Sequence, residues 1–302
     1  MSREAETYWH RVAWYGMEIE VPGSWEVSRL GRRYFQLDDG DGPVFELKWW
    51  QPTEVAGPEV YLKKLARQWQ KAWAITFEQQ ELPGSRHPNL PGFEAAAFVW
   101  QKAELRGQGV IVSCGTCGRV TLMQFYERQG SRCFAWKDRV LSSFRDHWQE
   151  SFVPWAVYGI RLSVPECFEL LDHQFQPGHY CLHFRCGREE LLFSRWSPAN
   201  VLLRDNDFQQ WFVSILKDSR HIEKNDVKSL QFLSAPCLQW QHASAAGWLA
   251  RLRTRIKKAS LYRWVRVWHL LNKNQIIGVE GRSLQPLNLE FLDEMCRNYE
   301  VI

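Results

Sequence analysis

The sharpest chemical feature of this 302-residue chain is Ser113-Cys114-Gly115-Thr116-Cys117-Gly118. Two thiolates at C-x2-C spacing can both face one Zn²⁺ at about 2.3 Å, with the glycines relaxing the turn and freeing backbone amides toward sulfur. Cys114 and Cys117 are therefore candidate zinc ligands. They make half a site, because a zinc ribbon needs a second pair and no other C-x2-C occurs. Cys181-x-His183-x2-Cys186, Cys133 and His87 are the nearest residues that could complete it. One arrangement takes Cys114 and Cys117 from one part of the chain and two of Cys181, His183 and Cys186 from another. The same residues also read as a hairpin turn with two thiols, a strand thiol, a surface histidine and a turn thiol. A redox role fits less well, since low-pKa C-x2-C thiols sit at helix N-termini and Val120 to Tyr126 has the pattern of a strand.

A basic segment is the second feature. Arg251, Arg253, Arg255 and Lys257 alternate with Leu252, Thr254 and Ile256, and Arg263 and Arg266 follow. On a strand the four cations share one face, which would suit the phosphates of nucleic acid or another anionic ligand. Trp248, Tyr262 and Trp264 would offer stacking surfaces beside them. A solvated hairpin that guards a sheet edge has the same composition. The whole chain gives no strong push toward nucleic acid or membrane, as 38 Lys plus Arg against 34 Asp plus Glu leave +4. There is no G-x-S-x-G, P-loop, H-E-x-x-H or helix-opening G-x-G-x-x-G. Gly107-Gln108-Gly109 enters a strand pattern, so it does not place phosphate on a helix N-terminus.

The elements that must hold these residues come in two sets. Tyr15-Gly16-Met17-Glu18-Ile19-Glu20-Val21-Pro22 returns as Tyr158-Gly159-Ile160-Arg161-Leu162-Ser163-Val164-Pro165, an offset of 143. Trp50-Gln51-Pro52 returns as Trp196-Ser197-Pro198. Tyr61, Leu65 and Trp69 return as Phe208, Phe212 and Leu216, and Val140, Leu141, Phe144 and Trp148 as Phe291, Leu292, Met295 and Tyr299. Four motifs in one order mark a duplication, and the length suits two domains at roughly 100 to 200 residues each. The expected division is 1–150 and 155–302, with no flexible linker, so the copies are expected to be docked.

Each copy reads as ββββ-α-βββ-α. Period-two runs such as Met17, Ile19, Val21 are strands. Pro58 opens a helix striped by Tyr61, Leu65, Trp69, Ala72 and Trp73, and one of Asp205, Asn206 or Asp207 caps its counterpart. Closing helices are expected near 136–149 and 288–299. The fold class is α+β: two duplicated domains, each a mostly antiparallel sheet packed by helices. Aligning Val110 with Val265 sets Cys114 opposite His269 and Cys117 opposite Asn272, so the second copy has no dithiol.

A strand ending in Val-Pro-x-x-Trp (Val21 to Trp25), a hairpin finishing on Trp50-Gln51-Pro52, a helix, three strands and Val140-Leu141-Ser142-Ser143-Phe144-Arg145 resemble the Mog1/PsbP-like α/β/α sandwich. The second copy has Phe168 in place of the Trp. The resemblance covers nearly all of the first copy and, less closely, the second. It implies a binding or assembly module and brings no catalytic residue with it.

The 17 Trp, 17 Phe and 9 Tyr imply aromatic-rich cores, with Trp14, Trp49, Trp73, Trp155 and Trp268 as candidate anchors in a groove between copies. For each of them a place in the core is the commoner outcome. No apolar run approaches the roughly 18–20 residues of a membrane span, and the charged start lacks a signal-like apolar region. A cytoplasmic, non-enzymatic protein that binds another protein is expected, its eight cysteines held as thiols.

Overall fold

The computed structural model describes residues 8–54, 56–80, 87, 89–103, 105–127, 133–148, 151–216, 226–243 and 262–302. The chain divides into two compact units. The first holds 1–150 with 154–159, and the second holds 151–153 with 160–302.

The first unit runs β1 (Trp9–Trp14), β2 (Met17–Pro22), β3 (Glu26–Gly31), β4 (Tyr34–Asp38), β5 (Pro43–Trp50), α1 (Pro58–Trp73), β6 (Thr76–Gln80), β7 (Phe93–Lys102), β8 (Leu105–Cys114), β9 (Val120–Glu127) and α2 (Cys133–Ser142). Strand β10 (Phe152–Val157) crosses the boundary, and its first-unit part pairs with β1 through Ala156 and Ala13. The second unit runs β11 (Ile160–Pro165), β12 (Glu169–Gln176), β13 (His179–Cys186), β14 (Glu189–Trp196), α3 (Ala199–Leu202), α4 (Phe208–Ile215), β15 (Lys228–Phe232), β16 (Ala235–Ala243), β17 (Tyr262–Leu270), β18 (Gln275–Ser283), α5 (Leu289–Arg297) and β19 (Glu300–Val301).

The two seven-stranded sheets are ordered β3-β4-β5-β9-β8-β7-β6 and β12-β13-β14-β18-β17-β16-β15. These are one topology twice, with every pair antiparallel. The protein is thus α+β with two similar halves. Even the tight turn before β2 is repeated: Tyr15 (φ 50) and Gly16 (φ 79) match Tyr158 (φ 50) and Gly159 (φ 74). Two successive positive φ values are what a two-residue hairpin turn needs to follow the right-handed twist of its strands. Tyr15 adopts a conformation rare for a bulky residue, with its ring packed edge-on to Trp14 and Trp155 at 5.3 and 5.0 Å.

Alternation divides the sheet residues of the first unit between two cores. Ala96, Phe98, Trp100, Ile111, Val120 and Leu122 pack under α1 with Leu62 and Ile75. The opposite face carries Phe45 on Phe125 and on Trp25, and Trp25 meets Trp136 of α2. The second unit repeats this plan. Trp211 and Phe212 of α4 cover Leu238, Trp240, Val265, Val267 and Ile276, while Phe193 and Trp268 on the other face meet Tyr299. Helix α4 begins on a capping box between Asp207 and Gln210, so Asp207 is the cap among the three candidates.

Three expectations are corrected. Each half has more strands than ββββ-α-βββ-α. Edge strand β6 is polar apart from Phe77 and β15 shows only Leu230 and Phe232 in alternation, a signal too short to betray them, and β1 and β10 precede the repeat's clearest motif. The closing helix of the first unit ends at Ser142 instead of running to 149. The apolar spacing of Phe144 and Trp148 mimics helix, but the backbone leaves α2 to bridge β2, with Glu18 N–H donating to Arg145 O at 2.9 Å and Arg145 N–H to Glu18 O at 3.0 Å. The alignment of Val110 with Val265 is one residue out. Trp50 faces Val120, which faces Ser113, whereas Trp196 faces Ile276, which faces His269. Ser113 therefore matches His269, and Cys114 matches Leu270. A one-residue slip exchanges the faces of a strand: Val265 lies under α4, whereas Val110 lies on the face away from α1.

Gly107 and Gly109 serve packing. A Cβ on Gly109 would sit 2.3 Å from Phe98 Cζ and 2.9 Å from the Met123 carbonyl oxygen. Gly109→Ala is expected to lose about 1–3 kcal/mol by overpacking, measured by urea unfolding. A variant as stable as the parent would show that the Phe98 ring does not lie over β8.

Candidate functional site

The β8–β9 turn is a compact knuckle. Cys114 N–H donates to Arg119 O and Gly118 N–H to Cys114 O, both at 2.9 Å, and Gly118 takes φ 69, a conformation suited to glycine. Burial pushes the Cys114 thiol above its ordinary pKa, as does nearby Asp146, while main-chain amides of Cys117 and Thr116 that donate to its sulfur pull the other way.

What the sequence reading missed is the pair that faces this turn. Because α2 stops at Ser142 and the chain is tied to Glu18 through Arg145, Asp146 and His147 are carried to the knuckle. Cys114 Sγ lies 2.9 Å from His147 Nε2, Cys117 Sγ lies 3.9 Å from Asp146 Oδ2, and His147 Nε2 lies 3.8 Å from Asp146 Oδ1. The four donor atoms all fall within 4.8 Å of one another, and among the described residues they are the one such group of three or more metal-capable side chains. No spacing rule links 114–117 to 146–147. The available signal was Asp146-His147 just beyond an apolar helix stripe, visible only to a reading that ends the helix early.

His87, the other histidine considered, has its pKa lowered by burial and the Lys137 charge. The backbone of Cys133 opens α2. In the second unit the remaining candidates have local partners. His183 Nε2 is 3.0 Å from Glu190 Oε2, the Cys181 thiol is half-buried beside Ser194, and Cys186 lies at the end of β13 with its thiol against Cys167. The described cysteine side chains are free thiols.

Arg251, Arg253, Arg255 and Lys257 lie outside the described residues. Arg263 is described, and its guanidinium pairs with Glu280, which also binds Arg282. Burial alone would raise the Glu280 pKa; the hydrogen bonds and charges of Arg282 and Arg263 outweigh it and hold the carboxyl below its usual range. A concavity of about 540 Å³ between β17 and α5 is lined by Gln239, Trp264, Arg266, Asp293 and Arg297. Within it Arg266 and Arg297 both meet Asp293.

A second concavity, of about 820 Å³, is in the first unit. Helix α1 packs on β6, β7 and β8, and beside it Tyr34 of β4 and Glu46, Lys48 and Trp50 of β5 stay half-buried or exposed. One wall is therefore aromatic, from Tyr61, Trp69 and Trp73 of α1 with Trp50 of β5, and the floor is polar, from Tyr34, Glu46 and Lys48. Trp50 meets Tyr61 edge-on at 5.9 Å, and Trp69 packs on Trp73 and Trp100. Glu46 accepts from Tyr34 Oη at 3.2 Å and from Gln124; burial and then the Glu46 charge push the Tyr34 hydroxyl far above the usual tyrosine pKa. Of the five tryptophans singled out as anchors, Trp14, Trp49, Trp155 and Trp268 are buried, and Trp73 is 53% exposed.

No family model matches the chain, and no curated protein matches it. Several solved structures are similar. One is the Tle4–Tli4 complex, at TM-score 0.39 and 10% identity over 97% of each chain. Another is the T6SS immunity protein TplEi of Pseudomonas aeruginosa, complexed with a peptide, at TM-score 0.37 and 10% identity over 98% of this chain and 99% of that one. A Bacteroides thetaiotaomicron protein aligns at TM-score 0.30 and 12% identity over 49% of this chain, which spans about half (53%) of that protein's length. Likenesses this distant assign no function.

The Glu280 pair makes a prediction. Glu280→Gln removes the carboxylate charge that Arg263 and Arg282 share and is expected to cost about 3 kcal/mol. A depressed carboxyl pKa gives stability that is complete above the unfolded-chain value of about 4.3 and is lost as pH falls through the folded value. The stability difference between parent and variant should therefore shrink below about pH 4.3. A difference independent of pH would contradict the pairing.

Proposed function

We propose that this chain is a protein-binding module whose first unit holds a segment of a partner protein in the groove between α1 and strands β4 and β5. The observation that carries the reading is Trp73, 53% exposed on the rim of a concavity of about 820 Å³ that also contains Trp50, Tyr61 and Trp69. Large aromatic side chains at the centre of a concave patch are the usual anchors of protein interfaces. Volumes of about 300–1,000 Å³ bury ligand-sized groups, here a few side chains of a partner. The floor adds direction. Glu46 and Lys48 from β5 and Lys64 from α1 offer both signs of charge to a polar backbone, and the Tyr34–Glu46–Gln124 hydrogen bonds fix the acid in place.

The Mog1/PsbP-like resemblance is in keeping with this role, since it implies binding and assembly modules. The sandwich of helix, sheet and helix in each unit is compatible with that fold. The groove's chemistry is recognition: its acid is hydrogen-bonded by a phenol and an amide, an arrangement that positions a charge without activating a nucleophile.

The test is photo-crosslinking in the native cell from a benzoyl-phenylalanine placed at Gln68 inside the groove, against the same probe at exposed Leu233. One discrete protein adduct is expected from position 68 alone. Trp73→Ala should weaken binding of that protein by about tenfold or more, while stability stays within about 0.5 kcal/mol because the side chain is largely exposed. Equal adducts from both probe positions, or an adduct indifferent to Trp73→Ala, would contradict the reading.

A further inference from the structure

We propose that the first unit binds one zinc ion through Cys114, Cys117, Asp146 and His147. Round a tetrahedral ion, bonds of about 2.3 Å to sulfur and 2.0–2.2 Å to nitrogen and oxygen set the donor atoms roughly 3.3–3.8 Å apart. The four donors lie within 4.8 Å of one another, with measured separations of 2.9, 3.8 and 3.9 Å. The measured separations differ from that range by less than about 1 Å.

The surroundings point the same way. The Asp146 side chain is 3% exposed, yet among the described residues no Lys or Arg nitrogen comes within 4.0 Å of its carboxylate. Arg119 reaches the residue's main-chain carbonyl, at 3.4 Å. A buried carboxylate is normally paired with a cation or coordinates a metal, and the groups nearest this one are a thiol and an imidazole. Thiolates and imidazole together select zinc over calcium or magnesium. Four protein donors would leave no open position, which marks a structural ion and not a catalytic one. On binding, each thiol gives its proton to solvent, and the two thiolates and one carboxylate exceed the charge of Zn²⁺ by one.

The ion would tie the β8–β9 turn to the segment that follows α2, two pieces separated by 29 residues. Among the described residues the second unit has nothing comparable. Leu270 stands where Cys114 does, and Leu271-Asn272-Lys273-Asn274 closes the turn without a thiol. The site therefore belongs to the first copy and not to the shared fold.

The experiment measures metal in the purified full chain after expression in zinc-supplemented medium and passage through a mild chelator. About one zinc per chain is expected, together with a cobalt derivative that shows thiolate-to-cobalt charge transfer. Cys117→Ser and His147→Ala should each weaken zinc retention by more than about tenfold. His147 is 42% exposed at its side chain, so its replacement leaves the core intact and keeps the test readable if a cysteine variant fails to fold. Absence of zinc from the parent, full retention in His147→Ala, or a Cys114–Cys117 disulfide in freshly purified protein would overturn the proposal.

Discussion

Trp50 lies opposite Val120 and Phe45 opposite Phe125, and from this register of β5 on β9 the rest of the first unit follows. The two strands are some 70 residues apart in the chain, so their pairing closes the sheet around everything between them. It turns Trp50, Glu46, Leu122 and Gln124 to the face of α1, and Phe45 and Phe125 to the face of α2. A slip of one residue would exchange those sets. It also fixes where β9 begins, and hence the length of the turn that brings Cys114 and Cys117 together. The same pairing of β14 with β18 organises the second unit.

Against that common frame the copies differ where chemistry could sit. On the α1 face, Glu46 and Gln124 make a hydrogen-bonded groove floor. The matching positions are Leu192 and Glu280, and Glu280 is spent on Arg263 and Arg282. Trp69, half-buried beside the groove, has Leu216 as its counterpart, and that residue is buried. Helix α2 stops in time for Asp146 and His147 to reach the knuckle, whereas α5 continues to Arg297. The second copy shares the scaffold, with Glu280 paired to two arginines at the position of Gln124 in the first. The first has kept an exposed tryptophan, a groove and a four-donor cluster.

The duplication, the α+β class, most of the strands and a cap among Asp205, Asn206 and Asp207 could be read from residues, because each leaves a local pattern: a repeated turn, alternation, or a polar cap residue before an apolar stripe. Edge strands β6 and β15 left little, β6 being polar apart from Phe77 and β15 offering only Leu230 and Phe232 in alternation. Phe144 and Trp148 misled, because buried residues at helical spacing look alike whether the backbone stays in a helix or leaves it for a bridge to β2. Half of the metal-capable cluster was legible in Cys114 and Cys117, whose spacing is local. Asp146 and His147 were not, because only the long-range bridge through Arg145 brings them in. Trp73 could be named as an anchor but not told from Trp14 or Trp268, since exposure is set by how far α1 extends past the sheet.

The central claim is that the first copy, and not the fold it shares with the second, carries the chemistry. Anomalous diffraction from crystals of the full chain, recorded above and below the zinc edge, tests it most directly. One peak is predicted, bonded by Cys114, Cys117, Asp146 and His147, with none in the second unit. A density map with those four side chains in place and no anomalous peak among them, or a peak held by other residues, would contradict it.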